Sequence, residues 1–125
     1  MVTKVIGSVF DNDFVITEAN GTISREQVLL GRGPRIEAGT VLGMVTTSRL
    51  FVPLNPAGTD GSQNAVGALR NRRAARLNAD TRRSVAIVRH ADFNGKKLIW
   101  PAGITVNQRK AYEAQLAANS VLVRY

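Results

Sequence analysis

His90 and Asp92 are the closest this chain comes to a reactive pair. They follow Ser84-Val85-Ala86-Ile87-Val88-Arg89, an apolar run that reads as a strand. If that strand continues, alternation puts both side chains on one face. A metal pair, or a base with its orienting carboxylate, would need that arrangement. Either chemistry also needs a third group, such as another ligand or a nucleophile. The chain has one His and no Cys, and its nine carboxylates are scattered. No Ser-His-Asp order, metal motif or cofactor fingerprint accompanies them. His90 therefore reads as a polar residue at a strand end. A small hydrolase using His90 and Asp92 stands only as an alternative, and no catalytic residue, metal or cofactor is expected.

Two other stretches invite a chemical reading. Gly31-Arg32-Gly33-Pro34-Arg35 is glycine-rich and basic, but its spacing fits neither the Walker nor the dinucleotide pattern, so it reads as a hinge-like loop. Arg70 to Arg83 holds six arginines in fourteen residues. Such a run could neutralise phosphates and release counterions. It could equally be a solvated loop, or face acidic groups of a neighbouring subunit. No aromatic residue interleaves the arginines, so stacking on bases is unsupported. The whole chain has 17 Lys and Arg against 9 Asp and Glu, a net charge of +8. That balance suits nucleic acid, an anionic membrane or an acidic protein surface. A basic nucleic-acid-binding module is thus the other alternative, on charge alone.

These residues must be held by a small body. At 125 residues one domain is the default, able to hide roughly two thirds of its unfolded surface. Without cysteine there are no disulfides or thiolate sites. No run is long enough to span a bilayer, and Met1 to Phe10 makes a poor signal peptide, so a soluble protein is expected.

The elements are mostly short strands. Gly39 to Val45, Phe51-Val52-Pro53-Leu54 and Ala65 to Leu69 are apolar runs separated by turn residues. Gly43 and Gly67 sit where a missing side chain suits a close backbone approach. Asn55 to Gly61 has a loop composition in which Asn and Asp bond their own backbone. Asn94-Gly95 marks a turn, and Pro101 biases Leu98-Ile99-Trp100 towards an extended run. Thr105-Val106-Asn107-Gln108 reads as a capping box opening a helix that ends at Asn119-Ser120, with Tyr112 and Leu116 one turn apart on one face. Val121 to Tyr125 is a last strand. Residues 1–30 differ: Val5 to Phe10, Phe14 to Ile16 and Thr22 to Leu30 are strand candidates, with Asn20-Gly21 as a hairpin-type turn. Their apolar supply is thin, which fits either a hairpin on the domain or an arm that pairs with another chain's sheet edge. In the arm reading, a chain beginning at Gly31 is expected to fold alone.

Five motifs stand in an informative order: Ala38-Gly39-Thr40-Val41-Leu42-Gly43, Phe51-Val52-Pro53, Thr59-Asp60-Gly61-Ser62-Gln63, Ala65-Val66-Gly67-Ala68-Leu69, and Leu98-Ile99-Trp100-Pro101-Ala102-Gly103-Ile104-Thr105. From about Gly31 to Tyr125 the chain resembles the head decoration protein family of tailed phages, typified by that of phage lambda. The resemblance implies a mainly β fold with one helix near the C-terminus, a small β-tulip-like domain over 31–125, and an extended capsid-binding arm over 1–30. It implies a structural protein, not an enzyme, that binds the outer surface of the expanded head as a homotrimer and stabilises the shell against internal DNA pressure. Its partners would be the major capsid protein and its own copies, with no membrane and no specific nucleic acid. It would be made in the host cytoplasm and end on the virion. The arm residues implied are Val5, Ile6, Val9, Phe10, Phe14, Val15, Ile16 and Thr17, although residues 1–30 match the family in position more than in motif. Arg72, Arg73 and Arg76 would meet acidic partner groups, and Trp100 and Pro101 would serve the core or the trimer interface. The six-arginine segment is more basic than the family leads one to expect.

Overall fold

Two of the short apolar runs, Val41-Leu42-Gly43 and Gly67-Ala68-Leu69, are buried on both faces, which is why they read as continuous rather than alternating. The computed structural model describes residues 14–31, 36–70 and 81–125. Its strands are β1 (Val15–Glu18), β2 (Arg25–Gly31), β3 (Val41–Met44), β4 (Phe51–Pro53), β5 (Gly67–Leu69), β6 (Thr81–Ile87), β7 (Ala91–Asn94) and β8 (Val121–Arg124). A one-turn helix α1 (Gly21–Ser24) joins β1 to β2, and a longer helix α2 (Val106–Ala117) precedes β8. The fold is mainly β, as expected.

Five strands close a barrel in the order β2-β4-β3-β5-β6. Its longest ladder pairs β2 antiparallel with β6, from Arg25 opposite Ile87 to Gly31 opposite Thr81. Its thinnest seam is the parallel bridge of Leu30 to Phe51 between β2 and β4. The other three strands form a sheet ordered β1-β7-β8, with β1 antiparallel and β8 parallel to β7.

The barrel wall separates two cores. Leu42, Leu69 and Ala86 point inward, joining Val28, Leu30 and Ile36. Their chain neighbours Val41, Ala68 and Ile87 point outward, where they meet Phe14, Phe93, Leu98, Tyr112, Leu116 and Val121 from the small sheet and α2. The period of two along β3, β5 and β6 thus assigns successive residues to different cores. Helix α2 is set by its cap. Thr105 Oγ1 accepts from the Gln108 N–H at 3.1 Å, and Gln108 Oε1 accepts from the Thr105 N–H at 2.8 Å, which completes the expected capping box. Tyr112 and Leu116 are its buried residues.

Gly43 fits because the Ser62 backbone presses against it. A Cβ there would lie 2.8 Å from the Ser62 carbonyl carbon, a distance that side chains do not reach. Gly43→Ala is therefore expected to destabilise the protein by roughly 1–3 kcal/mol in urea unfolding, the usual range for overpacking.

The first thirty residues depart most from expectation. Asn20-Gly21 does not make a hairpin turn. Ile23 and Ser24 both donate their N–H groups to the Asn20 carbonyl, at 2.7 and 3.1 Å, starting α1. The reason is non-local: β1 takes β7 as its partner and β2 takes β6, so the two belong to different sheets. Strand β2 also carries Val28 and Leu30 into the barrel core. A boundary after residue 30 falls at the end of that strand. The strand expected from Ser84 begins at Thr81, because Arg82 and Arg83 pair with Leu30 and Leu29. The expected strand at Val5 to Phe10, the Arg32–Arg35 break, and the arginines Arg72, Arg73 and Arg76 lie outside the described residues.

Candidate functional site

The chain enters the described structure at Phe14, whose ring meets Phe93 edge-on with centroids 5.1 Å apart. Only 2% of Phe14 is exposed, so this side chain serves the core. Val15 is half-buried and pairs with Phe93. An irregularity between Val15 and Thr17 turns Ile16 outward. Thr17, opposite Asp92, is exposed as well. Of the four described residues expected to meet a capsid, Ile16 and Thr17 thus present free side chains, while Phe14 is spent on the fold. Val5, Ile6, Val9 and Phe10 lie outside the described residues.

Behind β1 a polar joint ties the small sheet to the barrel. Glu18 Oε1 accepts from Arg25 Nη2 at 2.7 Å, and Glu18 Oε2 accepts from Arg25 Nε at 3.1 Å and from the buried Ser24 hydroxyl at 2.6 Å. Burial acts to raise the Glu18 pKa. The hydrogen bonds from Arg25 and Ser24, with the charges of Arg25 and Arg70, outweigh it and hold the carboxyl below its ordinary 4.5. A depressed folded-state pKa gives stability that is present above the unfolded value and lost as pH falls through the folded one. Urea unfolding followed from about pH 7 to pH 3 should show this acid-side loss in the parent protein and a shallower loss in Glu18→Gln. Sequence inspection missed this joint, because a Glu and an Arg seven residues apart face each other only once α1 has turned the chain.

The possible reactive pair does not assemble. Strand β6 ends at Ile87, and His90 sits in a turn at φ +53°, exposed to solvent. Asp92, on β7, accepts from Arg124 Nε at 3.3 Å. Among the described residues no three His, Cys, Asp or Glu side chains gather as metal ligands would. No described helix is long and apolar enough to cross a membrane.

The expected core-or-interface pair lies at one side of the barrel. Trp100 is half-buried, stacks on Tyr112 with centroids 6.4 Å apart, and packs against the outer core. Pro101 is half-exposed beside it. Together they line one wall of a mostly apolar cleft of about 320 Å³, whose other walls include Ile36, Val41, Pro53 and Leu54, with Glu37 and Thr40 as its polar members. Its floor is a parallel bridge between Thr40 and Ile99: Val41 donates to the Ile99 carbonyl at 3.1 Å, and Ile99 to the Gly39 carbonyl at 2.9 Å. The cleft was not visible in sequence, since its walls come from four separated runs.

This architecture offers surfaces for packing and strand pairing. The barrel, with its capped helix and terminal strand, is compatible with the β-tulip. No curated protein gives a significant match to the chain. A family model does match, over residues 4–121, from ahead of β1 through α2 to the start of β8. On that match over nearly the whole chain, the protein belongs to the bacteriophage lambda head decoration protein D family.

Proposed function

We propose that the protein is a cement for a phage head: it binds the outer surface of the expanded shell as a homotrimer and stabilises it against the pressure of packaged DNA. The observation that carries the reading is membership of the head decoration family over residues 4–121, which supports a capsid decoration role. The partners in this reading are the major capsid protein and two further copies of the chain.

Exposed apolar side chains supply surface for such contacts. Ile16, Leu122 and Val106 are large hydrophobics left open by the single copy. A closed cyclic trimer would bury part of that area. The capsid-binding segment in this reading is residues 1–13, with Ile16 and Thr17 at its root. It pairs with a capsid strand, where main-chain hydrogen bonds give affinity and alternating side chains give register. Arg72, Arg73 and Arg76 face acidic groups of that shell.

Pelleting with purified heads tests the reading. The protein should sediment with expanded heads and stay in solution with unexpanded ones, and its free form should sediment as a trimer. Equal retention on naked duplex DNA, falling steeply with salt, would instead favour the nucleic-acid module.

A further inference from the structure

We infer that the open side of the barrel seam, between β2 and β4, receives an extended strand of a partner protein that carries an acidic residue beside Arg49. The source of the strand rests on the decoration reading: it belongs to the major capsid protein and makes a contact separate from that of residues 1–13.

The main chain supports it first. The Val88 N–H donates to the Ser24 carbonyl at 3.0 Å, one step beyond the pair of Arg25 with Ile87. Bonded and non-bonded pairs alternate along an antiparallel ladder, so Glu26, Val28 and Leu30 exchange hydrogen bonds with β6. Arg25, Gln27, Leu29 and Gly31 therefore turn their main-chain groups the other way, towards β4. There the two strands meet only at Leu30 and Phe51. Gln27 has no strand partner on that side among the described residues. An unpaired edge of this kind is a template for another strand.

Shape and charge support it second. Beside Gln27 the strands part into a groove. Two neighbouring cavities of about 350 and 210 Å³ share Glu26, Met44 and Phe51 as walls. Leu29, 45% exposed, borders the larger one and Val88 the smaller. An incoming strand thus finds apolar side chains as well as main-chain groups. Arg49 also borders the larger cavity; it is exposed and has no ion-pair partner among the described residues. At the other end of the groove Arg89 is already held by Glu26, at 3.1 Å. The free cation therefore favours a carboxylate on the incoming strand. A second copy of this chain fits poorly, since each copy carries a net charge of +8. Of its two edge strands in the small sheet, β8 ends in Arg124, and the carboxylate of β1, Glu18, is committed to Arg25.

Hydrogen exchange and head binding test the inference together. In the free full chain the Gln27 amide should exchange fast, while the Val28 amide, bonded to β6, exchanges slowly. On expanded heads the Gln27 amide should slow by at least about tenfold. Gln27→Pro removes a donor that β6 does not use, and should weaken head binding by about tenfold while the urea midpoint stays near the parent value. Arg49→Glu, on an exposed turn, should also weaken binding, by less as salt rises. A Gln27 amide equally fast on heads, or parent-like binding by both variants, would overturn the inference and leave the decoration reading standing. No binding of the parent protein to heads would overturn both. A Gln27 amide already slow in the free protein would overturn the inference as well, and if dilution speeds it, the seam belongs to a second copy.

Discussion

Phe14→Ala should lower the unfolding free energy by about 3–5 kcal/mol, the usual cost of emptying a buried aromatic site. Phe14 is fully enclosed, edge-on to Phe93, and packed against the Gly39 backbone where that residue adopts φ +89°. A small side chain cannot fill the space between two rigid strands and a glycine turn. Removal of everything before Gly31 goes further: it takes away Phe14, β1 and all of β2 but Gly31, and with them the partners of six of the seven β6 residues. Such a chain is expected to lose its cooperative transition in urea. A chain beginning at Phe14 should keep that transition, since every described contact remains. Circular dichroism and urea titration of the three proteins measure this order directly. A Gly31 start that unfolds at the parent midpoint would show that β2 is dispensable.

The second large effect concerns the head. A chain beginning at Phe14 should bind expanded heads at least about a hundredfold more weakly than the full chain while staying folded. Burying one large apolar side chain contributes about 1.5–3 kcal/mol, and each 1.4 kcal/mol is a factor of ten, so loss of Val5, Ile6, Val9 and Phe10 from a capsid contact exceeds two decades. Replacing Ile16 and Thr17 by Asp in the full chain should weaken binding less, because those residues stand at the root of the segment. Titration of heads with labelled protein gives the affinities. Parent-like binding by the shortened chain would remove residues 1–13 from the capsid contact.

Local chemistry made much of this fold legible. The capping box at Thr105 is a contact between residues three apart, so sequence and structure agree on it. The same holds for the loop at Asn55 to Gly61, where Asn55 Oδ1 accepts from the Ala57 N–H at 3.2 Å and Asp60 Oδ1 from the Ser62 N–H at 3.1 Å. Gly43 was readable because a glycine inside an apolar run signals close backbone approach. What could not be read is which strand pairs with which. Asn20-Gly21 carries a strong hairpin signal, yet Ala19 donates to the His90 carbonyl at 2.9 Å and β1 crosses to β7, some seventy residues away. The long-range pairings of β1 with β7 and of β2 with β6 decided the outcome. The strand that was to align His90 with Asp92 failed for a related reason: the chain must turn at His90 to leave the barrel and enter the small sheet. The candidate site suffered most, because the cleft and the Glu18 joint are assembled from residues distant in sequence or on either side of a turn.

The central claim is that this chain decorates a phage head. Electron microscopy of expanded heads with and without the protein tests it most directly. The account predicts added density on the outer surface, in groups of three copies, with a connection from each copy into the shell. Heads that look the same in both preparations, or density that follows packaged DNA instead of the outer surface, would contradict it.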